Sequence, residues 1–119
     1  VLNMNAITRS HSACSPIGGQ EQIARLNDCP GIAELFKALA DETRTRILSL
    51  LQSGELCVCQ IAGSMEMSLP AVSHHLRLLK MMRLVSARRD GRQVYYTLLD
   101  QHVADLIRIA REHLHEGAR

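Results

Sequence analysis

The stretch that decides the fold runs from Val58 to Lys80, VCQIAGSMEMSLPAVSHHLRLLK. Val58, Ile61, Ala62 and Met65 recur at i, i+3, i+4 and i+7, which is the spacing of one helix face. Ser68 is a residue type that caps a helix, and Pro70 is tolerated in the first turn behind it. Leu69, Val72, Leu76 and Leu79 then predict a second buried stripe. Two such helices joined by a few residues predict a helix-turn-helix. Beyond them the period shortens to two. Val85, Ala87 and Arg89 alternate with Ser86 and Arg88, and Val94, Tyr96 and Leu98 alternate with Gln93, Tyr95 and Thr97. Asp90-Gly91 between the runs predicts a hairpin with a type I′ turn, whose two central residues both need positive φ. A helix-turn-helix followed directly by a β-hairpin is a winged helix, so the expected class is mainly α with a small hairpin.

Upstream, Ile32, Leu35, Phe36 and Leu39 share a helix face, after a break at Cys29-Pro30-Gly31 and a short helical segment over Glu21–Asn27. Asp41 is placed to cap a helix carrying Ile47, Leu48, Leu50 and Leu51, and Gly54 to end it. Downstream, a last helix begins near Asp100 with the stripe Val103, Leu106, Ile107, Ala110 and Leu114. Residues 1–20, rich in Asn, Ser, Thr, Gly and Gln, read as a flexible arm. Residues 21–119 then form one winged-helix domain, dimerising through its N- and C-terminal helices.

The 119 residues suit one domain, and the 46% hydrophobic content argues against disorder. With no Trp and 3% aromatics, the core must be built from Leu, Ile, Val, Met and Ala. No apolar run approaches the roughly 20 residues that span a bilayer. The chain start lacks a basic segment followed by an apolar one, so a cytoplasmic protein with no membrane partner is expected. A membrane channel, a polymer-like repeat and a multidomain enzyme are excluded.

On the helix from Leu69, about 100° per residue sets Pro70, His74, Arg77 and Met81 opposite Val72. Ser68 at the helix start, Ser73 at the edge of that face, His74 and Arg77 are therefore the candidates for reaching a major groove. His75 lies towards the buried side and is assigned a structural role. Arg77, Lys80, Arg83, Arg88, Arg89 and Arg92 face one acid, Asp90, giving a local charge of +5 in a chain of net charge +2. A charge run alone is usually a solvated surface. Joined to a helix-turn-helix it points to double-stranded DNA, with Arg88, Arg89 and Arg92 as wing contacts.

Four Cys (14, 29, 57, 59) and six His (11, 74, 75, 102, 113, 115) stand out. In a reducing compartment, metal binding or redox sensing are their alternative uses, beside simple burial. Glu55-Leu56-Cys57-Val58-Cys59 is expected to open its helix, where the N-terminus favours thiolates. His11 and Cys14, spaced i, i+3 on the arm, are candidate further ligands. A sulfur-rich site suits soft ions such as Cd(II), Pb(II) or Bi(III), with Zn(II) as another option. On the last helix, Asp100 and His102 lie about 16 Å along the axis from His113, too far for one ion. An antiparallel copy would bring His113 and Glu116 against the partner's Asp100 and His102, making two equivalent N/O sites for zinc or cobalt.

In these residues the chain resembles the ArsR/SmtB metal-sensing winged-helix repressors, from Ala38-Leu39-Ala40-Asp41-Glu42-Thr43-Arg44 to the C-terminus. The stretches that carry the likeness are Glu55–Ile61, Ala71–Arg77 and Gly91–Tyr96. The Asp100, His102, His113, Glu116 pattern resembles that family's interfacial zinc site. Cys57 and Cys59 with an N-terminal Cys resemble the thiolate site of its cadmium- and lead-sensing, CadC-type branch. That arm carries two Cys, whereas here Cys14 is joined only by His11 or Cys29; the arsenite branch has a third Cys where this chain has Ala62. The resemblance implies a homodimeric repressor released from operator DNA by a heavy-metal ion. A thiol-based redox or persulfide sensor, an arsenite-responsive repressor and a constitutive DNA-binding protein remain as alternatives. A zinc hydrolase is disfavoured, because four protein ligands leave no position for water.

Overall fold

The structure is a computed structural model that describes residues 19–117. The chain divides into two units at Ala33/Glu34. In the first, α1 (Gln20–Ala24) begins where Gln22 and Ile23 donate their N–H groups to the carbonyl of Gly19, both at 3.1 Å. Turns follow to Asp28. The next helix, α2 (Cys29–Leu39), starts at Cys29. The expected break at Cys29-Pro30-Gly31 is therefore a helix start. Proline suits a first turn because its missing N–H would have no partner there.

The second unit begins within α2 and continues with α3 (Glu42–Leu51). Asp41 caps α3 as expected, its Oδ2 accepting from the Arg44 N–H at 3.0 Å. Arg44 Nε donates to the Ala38 carbonyl at 2.8 Å and Thr45 Oγ1 to that of Leu39 at 2.7 Å. The last carbonyls of α2, which lack helical partners, are thus bonded by the first turn of α3. A two-residue strand, β1 (Leu56–Cys57), leads into α4 (Val58–Met65). Glu66, left-handed at φ 53°, ends α4, and the Met67 N–H returns to the Ala62 carbonyl at 3.0 Å. Ser68 then caps α5 (Leu69–Met81) by accepting from the Ala71 N–H at 3.3 Å.

The wing is β2 (Val85–Asp90) paired antiparallel with β3 (Gln93–Leu98). Asp90 pairs with Gln93, so the loop is Gly91-Arg92 rather than Asp90-Gly91. Gly91 has φ 63°, whereas Arg92 is not among the residues with positive φ. One glycine at the first central position fits a type II′ turn, not the expected I′. The sheet has a third strand that the alternation did not reveal. Its order is β1-β3-β2, with Leu56 opposite Tyr96 and Cys57 opposite Tyr95.

Ile47, Leu48, Ile61, Val72, Leu76, Leu79, Leu84 and Val85 form the fully buried centre. It is aliphatic throughout, as the composition demands, and each such side chain contributes about 1.5–3 kcal/mol on burial. Leu69, expected in the buried stripe of α5, is instead 48% exposed. It sits in the first turn, beyond the reach of α4. The last helix, α6 (Gln101–Gly117), buries Val103 and Ile107 but leaves Ile109, Ala110 and Leu114 exposed. Its apolar stripe is thus only half used within one chain. Among the described residues no helix is long and apolar enough to cross a membrane.

Candidate nucleic-acid interface and metal ligands

Helix α5 presents Ser68, His74 and Arg77 to solvent and keeps Ser73 half-buried. Val72, Leu76 and Leu79 anchor the opposite face, so the exposed set is held on a rigid element. Among the described residues, Arg77 makes no ion pair, and its charge is available to a phosphate or a base edge. His75 is half-buried, as expected of a structural residue, and its Nδ1 is buried without a hydrogen-bond partner. The His74 and His75 rings meet edge to face at 5.6 Å.

The three wing arginines are not equivalent. Arg88 grips Glu55 with two bonds, Nη2 to Oε1 at 2.6 Å and Nε to Oε2 at 3.1 Å. Its guanidinium also lies 4.8 Å from the centre of the Tyr95 ring, and Nη1 is 3.7 Å from Asp90 Oδ2. The Arg88 hydrogen bond holds the Glu55 carboxyl below its usual range, and the same bond raises Arg88. Arg89, opposite Val94, and Arg92 at the hairpin tip are exposed and form no ion pair among the described residues. Glu55 and Tyr95 went unrecognised in the sequence because their link to Arg88 depends on β1 joining the sheet, and two residues display no period.

Cys57 and Cys59 straddle a boundary. Cys57 ends β1, caps α4 and is 8% exposed, whereas Cys59 lies in the first turn of α4 and is open to solvent. The pair was expected to open the helix together; only Cys59 lies within it. The extended backbone at Cys57 removes the regular-helix divergence between positions i and i+2, which favours a shared soft ligand. Gln60 Oε1 accepts from the Cys57 N–H at 2.9 Å and fixes this entry. His11 and Cys14 lie outside the described residues. Cys29 is an exposed free thiol whose Sγ donates to the Arg25 carbonyl at 3.5 Å.

At the start of α6, Asp100 has two roles. Oδ1 caps the helix by accepting from the Val103 N–H at 3.1 Å, and Oδ2 lies 3.7 Å from His102 Nδ1. His102 is 92% exposed in its side chain. His113 and Glu116, one turn apart near the other end, are also exposed. Each end of α6 therefore offers two N/O donors of the kind that hold zinc, and neither offers four. Among the described residues no three His, Cys, Asp or Glu side chains converge within one chain.

Residues 41–87 match the family model described as bacterial regulatory protein, arsR family. The chain is 48% identical over 98 residues to a transcriptional repressor SmtB homolog of Synechocystis sp., covering 82% of this chain and 74% of that protein. It is 47% identical over 88 residues to a cadmium resistance transcriptional regulatory protein CadC homolog of Staphylococcus aureus, covering 73% of each. Among solved structures, it is similar to the homodimeric winged helix-turn-helix DNA-binding domain of a possible ArsR-family transcriptional regulator from Mycobacterium bovis. There the TM-score is 0.70 and the identity 37%, over 85% of this chain and 92% of that one. The winged helix built from Val58 to Leu98, and the sequence likeness that extends beyond it, make this chain a member of the ArsR family of bacterial regulatory proteins.

Proposed function

We propose that the protein is a homodimeric repressor that binds operator DNA and releases it when a heavy-metal ion of the Cd(II), Pb(II) or Zn(II) type binds. The observation that carries this reading is the division of the α6 donors. Asp100 and His102 meet at one end, His113 and Glu116 stand at the other, and both pairs are exposed. A second chain running antiparallel completes two sites at once, and the exposed Ile109 and Leu114 supply apolar surface beside them. The relatives named as SmtB and CadC homologs support a metal as the effector.

Ser68, Ser73, His74 and Arg77 face the major groove in this reading, and Arg89 and Arg92 carry the wing onto the backbone. The second site is sulfur-rich. Cys57 and Cys59 hold a soft ion, with Cys14 and His11 from residues 1–20 as further ligands. An ion bound at either place stabilises a dimer geometry in which the two α5 helices no longer match successive grooves. The coupling is reciprocal, so DNA weakens metal binding by the same factor.

The test is fluorescence anisotropy of operator binding with Zn(II), Cd(II), Pb(II) and As(III). It compares wild type with Cys57→Ser/Cys59→Ser and His102→Ala/His113→Ala. Release by one or more ions, lost in one double variant, identifies the controlling site. DNA binding that ignores every ion defeats the reading. Release on oxidation alone, with no metal retained under reducing conditions, replaces it with a thiol sensor.

A further inference from the structure

The wing is fastened to the strand that carries Cys57, and Arg88 is the fastener. Cys57, Tyr95 and Arg88 form one row across β1, β3 and β2, because Cys57 and Arg88 both pair with Tyr95. Glu55, two residues before Cys57, closes the row by gripping Arg88 through two short bonds. The guanidinium is further held by the Tyr95 ring and by Asp90. Its planar fork is thus occupied on an edge and covered on a face, which leaves little of it for a phosphate. Arg89 and Arg92 carry no such partners among the described residues.

The geometry points to Arg88 as a positioning residue: the Glu55–Arg88 pair sets the wing against β1, and the wing's phosphate contacts are made by Arg89 and Arg92 alone. This rests on the proposed DNA-binding reading for its second half only. Glu55 acts with Arg88, although it is an acid beside a DNA-facing surface, where an unpaired carboxylate would repel phosphate. Its partner neutralises it. The pair also makes the wing an extension of the backbone at Cys57, so movement at the thiolate pair reaches the hairpin through β3.

Two readouts test this on the full-length protein. The first uses a fluorescein-labelled duplex selected from a random-sequence pool on the wild type, with binding measured across salt concentration. A lost phosphate contact lowers the slope of log K against log salt by about 0.9. Arg89→Ala is expected to show that loss. Arg88→Ala and Glu55→Gln are expected to weaken binding with the slope unchanged, and the double variant to be no worse than either single one. The exchanged pair Glu55→Arg/Arg88→Glu is expected to recover part of the affinity. A slope lowered by about 0.9 in Arg88→Ala, or tighter binding in Glu55→Gln, makes Arg88 a phosphate contact and overturns the proposal.

The second readout needs no DNA. Amide hydrogen exchange at Leu56, Cys57, Tyr95 and Tyr96 is expected to be several-fold faster in Glu55→Gln and in Arg88→Ala than in wild type. Unchanged exchange in both removes the fastening role. If no duplex is selected at all, the DNA-binding reading fails, and exchange still decides the role of the pair.

Discussion

Gln52 and Arg111, 59 residues apart in sequence, meet where Arg111 Nη1 donates to Gln52 Oε1 at 2.8 Å. Gln52 Nε2 in turn donates to the Ala104 carbonyl at 3.2 Å, and Arg111 Nη2 donates to Ser49 Oγ at 2.9 Å. The amide of one residue behind α3 thus holds α6 at two heights about two turns apart. These bonds fix the rotation of the helix that bears Asp100, His102, His113 and Glu116. Gln52→Ala is expected to cost about 1 kcal/mol of stability. It is also expected to weaken zinc binding without removing a ligand. Calorimetric zinc titration beside thermal unfolding checks both, and unchanged zinc affinity would show that α6 orients its donors without this tie.

The core prediction concerns Leu76, which is fully buried between the exposed His75–Arg77 neighbours that flank it on α5. Leu76→Ala is expected to destabilise the fold by about 2–5 kcal/mol, because the cavity adds to the lost transfer free energy. Leu69→Ala, on the same helix but 48% exposed, is expected to cost far less. Urea unfolding of the two variants measures the contrast, and equal losses would return Leu69 to the core.

Acid stability should report the α3 cap. The Arg44 N–H bond to Asp41, aided by the Arg44 charge, holds the Asp41 carboxyl below its ordinary value against the opposing effect of burial. A carboxyl with a lowered folded-state pKa stabilises the fold above the unfolded value. That stabilisation is lost as pH falls through the lowered value. Asp41→Asn keeps an acceptor but no charge, so its stability is expected to vary less over the acid range. Unfolding midpoints from neutral pH downwards provide the check; parallel curves for variant and wild type would deny the linkage.

On DNA, Arg77→Ala and His74→Ala should differ in kind from Arg92→Ala. A base-edge contact discriminates by about 1–3 kcal/mol and its loss relaxes preference at one position. A phosphate contact weakens all sequences alike. Binding of each variant to single-base substitutions of a selected duplex separates the two classes. Uniform losses for all three variants would place α5 outside the groove.

Much of the fold was legible because α4, α5 and the wing each repeat a period long enough to read. Ser68 and Asp41 announced their helices by cap chemistry, and the structure shows both bonds. What escaped was set by tertiary contact. Strand β1 is two residues long and exists only through its pairing with β3. The turn shifted by one residue because Asp90 is held in the ladder by Gln93. Leu69 fitted the stripe in spacing, but the first turn of α5 has no neighbour to cover it. For the metal donors, helix arithmetic already showed that His102 and His113 cannot share an ion on one chain. The contact of Asp100 with His102, and its second role as a cap, needed the structure.

The central claim is that each α6 site takes Asp100 and His102 from one chain and His113 and Glu116 from the other. Subunit mixing tests it most directly. His102→Ala and His113→Ala homodimers are each expected to lose tight zinc binding at both sites. Mixed in equal amounts and allowed to exchange subunits, they form heterodimers in which one site keeps all four donors and the other loses both histidines. Native mass spectrometry is predicted to show one tightly held zinc in the heterodimer and none in either α6-variant homodimer, in a Cys57→Ser/Cys59→Ser background. A heterodimer that holds no more zinc than its parents would contradict the account.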